Sequence, residues 1–273
     1  MFRMLLSAAL VASVATPSLA ANCITSKSDF SNYKRNIAVD AAASGIGPLG
    51  MAALNAATLS GITWRFESTP ASQTGVSYGD PAEFLAKRTQ STANAFVQGA
   101  LRKMKRNPNT FASLERSYGV PASILATIWG LETSWGGYLG STPIVSSAVT
   151  LASYCRRHPR FETHAIAAMR LVDQGVITAD TRGGPSGELG HMQFLSGNWA
   201  QFGVDGNGDG TADPYNPVDA MASAANMLRA NGWRRGEPFG QGTANFEVLS
   251  AWNDSGNYQR AIAYAAQQID LSM

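Results

Sequence analysis

The sequence predicts a mainly α-helical protein. Three observations carry that reading: apolar residues recur every three or four positions through most of the chain, cap-and-proline pairs open several of these stretches, and alternating strand patterns are scarce. Phe30, Tyr33, Ile37 and Ala41 form a first helical stripe, stopped by Gly45. Ile62-Thr63-Trp64-Arg65-Phe66 is the best strand candidate. Residues 68–79, rich in Ser, Pro, Thr and Gly, read as a loop. Asp80-Pro81, a cap followed by proline at the first helical position, opens a longer helical region carrying Phe84, Ala95 and Phe96. Phe111, Leu114 and Tyr118 form another stripe, closed by Gly119, and Asn216-Pro217 opens a helix ending near Gly232. A last helix is expected over residues 257–270. The glycine-rich stretches 183–190 and 203–210 lie between helices, where functional loops tend to sit.

The chain has 273 residues, 45% of them hydrophobic and 15% charged, with a formal net charge of +2. That hydrophobic fraction excludes wholesale disorder. So small a charge, with no block of like charges, gives no basis for nucleic-acid binding. Residues 1–20 hold one charge, Arg3, then a short apolar run and the small-residue triplet Ser18-Leu19-Ala20. This is the layout of a secretory signal peptide, its apolar run too short to span a bilayer of about 20 residues. The expected mature chain is a single domain, 21–273, in the periplasm or outside the cell. A lipid anchor on Cys23 is disfavoured because Asn22 precedes it. Cys23 and Cys155 are the two cysteines. In an oxidising compartment an even pair suggests one disulfide, the alternative being two unpaired thiols.

Residues 124–132, Ile-Leu-Ala-Thr-Ile-Trp-Gly-Leu-Glu, form an apolar helical run in which Ile124, Ile128 and Glu132 share one face. A carboxylate on a buried face loses hydration, so its pKa should rise, and a carboxylic acid that stays protonated near neutral pH suits general-acid catalysis. The bland alternative is a structural Glu satisfied by a backbone amide or an Arg. Trp135 follows closely and could cover a sugar face, beside glycines 136 and 137 that admit close approach.

Tyr118-Gly119-Val120-Pro121 and Gly130-Leu131-Glu132-Thr133-Ser134-Trp135-Gly136 resemble the core signature of the lytic murein transglycosylases related to membrane-bound lytic murein transglycosylase B. The resemblance continues in the segment from Gly187 and Glu188 through His191-Met192 to Gln193-Phe194, in residues 205–219, and in Trp252-Asn253. It is dense from Tyr118 to Asp270 and weaker from Phe30 to Ser117. It implies a lysozyme-like fold (α+β in its broad class) with a helical N-terminal part, 21–117, and a catalytic core, 118–273. The implied activity is that of a carbon–oxygen lyase that cuts peptidoglycan between N-acetylmuramic acid and N-acetylglucosamine. Glu132 would serve as the single acid and base, giving a 1,6-anhydro product with no organic cofactor. The rivals are a hydrolytic muramidase and a non-catalytic wall-binding protein. Gln193, Trp252, Asn253, Trp135 and Gly187 are the implied substrate contacts, Trp252 by stacking and Gln193 by hydrogen bonding near Glu132. Glu188 could be a second acid, with a solvated surface role as the plainer reading. His191-Met192 and Ser196 depart from the expected residues and put the shape of that loop in question.

Asp205-Gly206-Asn207-Gly208-Asp209-Gly210-Thr211 fits the opening of an EF-hand loop, with oxygen ligands at positions 1, 3 and 5, glycine at 6 and the Thr211 carbonyl at 7. Asn216 stands where the closing Glu belongs, and the resemblance implies Asp219 as the closing carboxylate of a longer loop. The implied calcium set is therefore Asp205, Asn207, Asp209, Thr211 and Asp219, in a structural role. The bland reading is an Asp/Asn/Gly turn in which Asp219 stabilises a helix start.

Overall fold

In the computed structural model, residues 22–69 and 79–273 are described; the expected signal segment and most of the 68–79 loop lie outside them. The mainly helical expectation holds. The N-terminal part contains α1 (Phe30–Ala43), α2 (Pro48–Ala56), α3 (Gly61–Ser68), α4 (Pro81–Thr89), α5 (Ala93–Arg106) and α6 (Pro108–Tyr118). The rest contains α7 (Ala122–Thr133), α8 (Ile144–Ser153), α9 (Glu162–Asp173), α10 (Ser196–Phe202), α11 (Pro217–Ala230), α12 (Ala244–Trp252) and α13 (Gly256–Asp270). The strands among the described residues are the antiparallel pair β1 (Thr142–Pro143) and β2 (Arg182–Gly183).

The local signals act as the sequence suggests at most helix ends. Asp80 accepts from the Ala82 N–H at 2.8 Å, and Asn216 accepts from the Val218 N–H at 2.9 Å, each satisfying an orphan donor of a first turn. Phe30, Tyr33, Ile37 and Ala41 are all buried. Two expectations need correction. The region opened by Asp80-Pro81 is two helices, because Gln90 turns left-handed (φ 51°) and ends α4 before Thr92 caps α5. The strand candidate Ile62–Phe66 is helical. Ser60 caps α3 through the Thr63 N–H at 3.3 Å, and the buried positions Thr63, Trp64 and Glu67 follow helical spacing rather than alternation.

The helix α7 occupies the centre. Every one of its residues except Glu132 is buried, so it is enclosed on all sides rather than amphipathic. Helices α5 and α13 pack on it, and α13 also packs on α4, which interlocks early and late parts of the chain. A second group forms as α2, α8 and α10 gather on α9. Asp173, the last residue of α9, caps α2 from a distance, accepting from Gly47 and Gly50 N–H at 2.6 and 2.8 Å. Glu67, 1% exposed, accepts from Arg157 Nε and Nη2 at 2.9 and 3.1 Å and also from Arg156. That paired arrangement offsets the cost of burying its charge and ties α3 to the segment after α8.

Cys23 and Cys155 are disulfide-bonded across a separation of 132 residues, beside a backbone bond from Ile24 N–H to Ser153 O at 2.8 Å. The start of the described chain is thereby fastened to the end of α8. Closing so long a loop restricts the unfolded chain by roughly 4–5 kcal/mol in the chain-entropy treatment. Reduction, or Cys155→Ser, should therefore lower the urea midpoint substantially; an unchanged midpoint would contradict this account.

Candidate active site

The enclosure of α7 leaves Glu132 at its C-terminal end, where the helix meets a cleft of about 310 Å³. Oε1 of Glu132 accepts two hydrogen bonds, from the Tyr258 hydroxyl at 2.7 Å and from Trp252 Nε1 at 3.1 Å. Oε2 has no hydrogen-bond partner among the described residues. Burial pushes the carboxyl above its ordinary pKa, the two donors and the positive charge of Arg88 pull it partly back, and the charge of Glu188 adds to the rise. The Tyr258 hydroxyl, itself buried, is held well above the usual phenol range and remains a donor. The result is a carboxyl with a raised pKa whose orientation is fixed from α12 and α13.

Several further segments line the cleft. Arg88 comes from α4, and Trp252, Asn253 and Tyr258 from the end of α12 and the start of α13. Ser186, Glu188 and Gln193 come from a hairpin between β2 and α10, held by reciprocal bonds between Leu189 and Phe194 at 2.8 and 3.1 Å. Arg157 and Phe161 come from the segment before α9.

The residues singled out from the sequence divide on this geometry. Glu132, Gln193, Trp252 and Asn253 all line the cleft. Trp252, expected to stack on substrate, lines the cleft; its indole N–H donates to Glu132, and its ring meets Phe194 edge-on at 5.1 Å. Gln193 sits in a left-handed turn (φ 47°) and spends its amide N–H groups on the Gly190 and Leu139 carbonyls, at 2.8 and 3.3 Å. It braces the hairpin, with its side-chain oxygen beside Gly184. Asn253 accepts from the Ser255 N–H at 3.0 Å, shaping the entry to α13.

Trp135 does not line the cleft. Residues 134–136 all have positive φ, and this turn swings the indole back between α5 and α7. There it donates to Ala126 O at 2.9 Å and packs 5.0 Å from Phe96, in space left by the missing side chain of Gly130. Gly187 is likewise outside the cleft lining and lies against Ala148. Glu188 is not a solvated surface residue: it faces the cleft, and burial raises its pKa. His191 accepts from Trp129 Nε1 at 3.2 Å, and burial lowers its pKa, as suits a neutral acceptor. Tyr258 and Arg88 were not anticipated. Tyr258 belongs to a buried stripe with Ala261, Ile262, Ala265 and Ile269, so its spacing looks like ordinary core.

The loop at 205–219 offers oxygen donors alone, which suits a hard cation. Its side chains are engaged as a turn. Asp205 accepts from Gly208, Asp209 and Gly210 N–H groups, and the Gly210 contact foremost holds its carboxyl below the ordinary range. Asn207 and Asp209 accept from Asp209 and Thr211 N–H groups. Asp219, fully buried, accepts from Gly206, Asn207 and Asp213 N–H groups at 3.0, 3.1 and 3.0 Å. No three His, Cys, Asp or Glu side chains among the described residues group as a metal site. Asp219 braces the loop from within, its oxygens turned to these backbone N–H groups.

Comparison with known proteins defines the class. The family described as Transglycosylase SLT domain matches residues 30–244, and the chain belongs to this family. Membrane-bound lytic murein transglycosylase B of Escherichia coli K12 is 37% identical over 125 residues, covering 44% of this chain and 34% of the relative; the match spans about a third of that protein's length. Among solved structures, SltB3 of Pseudomonas aeruginosa, in complex with NAG-anhNAM-pentapeptide, superposes with a TM-score of 0.77 at 21% identity, over 88% of this chain and 79% of that one. The E. coli lytic transglycosylase Slt35, in complex with bulgecin A, gives 0.74 at 21% identity, over 93% and 96%. Slt35 has also been solved in complex with calcium. The lysozyme-like architecture expected from the sequence is therefore the fold of this chain. No helix among the described residues is long and apolar enough to cross a membrane.

Because the Tyr258 hydroxyl favours the ionised form of Glu132, Tyr258→Phe should raise the Glu132 pKa further. Difference infrared titration of the buried carboxyl, against Glu132→Gln as blank, reads this; a downward shift would refute the assigned role.

Proposed function

We propose that the protein cleaves peptidoglycan between N-acetylmuramic acid and N-acetylglucosamine as a lytic transglycosylase, with Glu132 as the acid. The observation that carries this reading is the lone carboxyl of α7, its pKa raised by burial and its position set by Tyr258 and Trp252 at the cleft. The family of the chain and the muropeptide bound to SltB3 support the substrate class. Glu132 gives its proton to the glycosidic oxygen as the bond to the muramic C1 breaks. The muramic C6 hydroxyl then closes on C1, giving the 1,6-anhydro product. In the simplest form the carboxylate left on Glu132 takes the hydroxyl proton. That nucleophile is held beside C1 by the sugar itself, at a high effective concentration, so no second protein nucleophile of the kind common in retaining glycosidases is required.

We place the mature chain, residues 21–273 as one domain, in the periplasm or outside the cell. The disulfide supports an oxidising compartment, and it occupies the Cys23 thiol that a lipid anchor would need. Peptidoglycan strands are the proposed partner. Calcium is proposed on the exposed oxygens of Asp205, Asn207 and Asp209 and the Thr211 carbonyl, supported by the donor chemistry and by the calcium complex of Slt35.

Digestion of purified peptidoglycan followed by mass spectrometry tests the activity. Anhydro ends are expected from the native chain, and Glu132→Gln should lower turnover at least about 10³-fold while glycan binding persists; reducing ends from the native chain, or lysis by that variant, would defeat the proposal. For calcium, a heat of binding and a raised melting temperature are expected, and neither should survive Asp205→Asn; the absence of both in the native chain rejects the site.

A further inference from the structure

Helix α7 and the opposite wall of the cleft are joined directly at one residue, His191. It lies in the turn of the hairpin that carries Glu188 and Gln193, and it stands outside the lining of the cleft. Its side chain and its backbone both engage α7, on either side of Glu132 in sequence. Nδ1 accepts from Trp129 Nε1 at 3.2 Å, one turn before the acid. The His191 carbonyl accepts from the Thr133 hydroxyl at 2.8 Å, one residue after it. The imidazole also meets the Trp129 ring edge-on at 5.7 Å. The turn after α7 leaves space for the ring: a Cβ on Gly136 (φ 83°) would lie 2.6 Å from His191 Cε1. On the outer side the His191 N–H donates to Pro214 O at 3.0 Å, and the ring hydrogen-bonds the backbone of Tyr215.

We infer that His191 is a positioning residue of the proposed reaction: a neutral imidazole clasp that holds the wall carrying Glu188 and Gln193 against the helix carrying Glu132, and that opens when the ring is protonated. The inference rests on the proposed transglycosylase reading and adds to it a residue that acts from outside the cleft. The acid itself is oriented from α12 and α13. The clasp therefore governs how firmly the glycan is gripped rather than how Glu132 is held.

The contact demands one protonation state. An indole nitrogen only donates, so Nδ1 must be free to accept and the neutral ring keeps its proton on Nε2. The Tyr215 contact agrees, because it favours the charged ring and so has the ring as its donor. Protonation would set an N–H on Nδ1 against the indole N–H and break the bond. The charged groups facing the ring are Lys103 of α5, whose ammonium stands 5.5 Å from the Trp129 ring, and Asp213, two residues before Tyr215. Burial is the largest influence and opposes protonation, Asp213 favours it and Lys103 opposes it, so the ring stays neutral to below the ordinary histidine range.

Three variants test the clasp. His191→Asn offers an Oδ1 that can accept in place of Nδ1 and does not titrate, His191→Leu fills the space and accepts nothing, and Trp129→Phe removes the donor. Peptidoglycan digestion across pH, glycan-fragment binding and thermal melts are measured for each. The Trp129 indole N–H resonance, assigned by its loss in Trp129→Phe, is followed by NMR. At neutral pH, His191→Leu and Trp129→Phe should each raise KM about 10-fold with kcat changed less. The double variant should be no worse than either alone, and His191→Asn should recover most of the difference. As pH falls below the ordinary histidine range, native KM should climb and the Trp129 resonance should shift; neither should happen in His191→Asn. A folded His191→Leu with native KM, or a climb in KM that persists unchanged in His191→Asn, overturns the inference. Should the variants fail to fold, the native spectrum decides, because a Trp129 resonance that stays still as the pH is lowered also overturns it. A native chain that leaves peptidoglycan uncut defeats the underlying reading alone, since the Trp129 titration and fragment binding read the clasp without turnover.

Discussion

The architecture turns on one constraint: a carboxyl must be kept out of water yet accessible to a ligand. Helix α7 solves the first half by being buried along its length, so that Glu132 has no solvent to ionise into except through the cleft. The second half falls to Tyr258 and Trp252. Both donate to a single oxygen and leave the other unengaged. Their opposition to burial sets a limit on how far the pKa climbs: burial alone would lock the proton in place, whereas two donors make the carboxylate tolerable once the proton has left. The packing of α5 and α13 around α7, and of α4 against α13, serves to hold these few atoms in register.

The hairpin from β2 to α10 answers the same requirement from the opposite wall. It is short of side chains where Gly184 lies and dense with backbone bonds elsewhere. Gln193, although in the cleft, stiffens this wall through the carbonyls of Gly190 and Leu139. A rigid wall matters because catalytic groups work only when held close to productive geometry.

Much of the fold was legible in the sequence, because helix caps and apolar stripes are local. Glu132 was legible for a related reason: an isolated carboxylate closing an apolar run stands out. The failures share a cause as well. Trp135 is three residues from Glu132 in sequence, but the left-handed turn at 134–136 sends it to the far side of α7, and adjacency in sequence does not reveal that. Tyr258 is 126 residues from Glu132 and sits in a core-like stripe, so only tertiary packing discloses its role. Residues 62–66 favour a strand by composition, and the Ser60 cap with buried Thr63 and Glu67 overrides it. The loop at 205–219 was legible as an oxygen-rich turn, whereas the inward orientation of Asp219 depends on backbone N–H groups that no side-chain pattern encodes.

The two donors to Glu132 lie in the closing stretch of the chain, at 252 and 258. During synthesis the acid therefore emerges well before the groups that tune it, and it gains its final character only when the last two helices dock. A polypeptide clipped before α12 and α13 would thus keep the carboxyl but lose both donors that orient it, so the arrangement around Glu132 exists only once these two helices have docked.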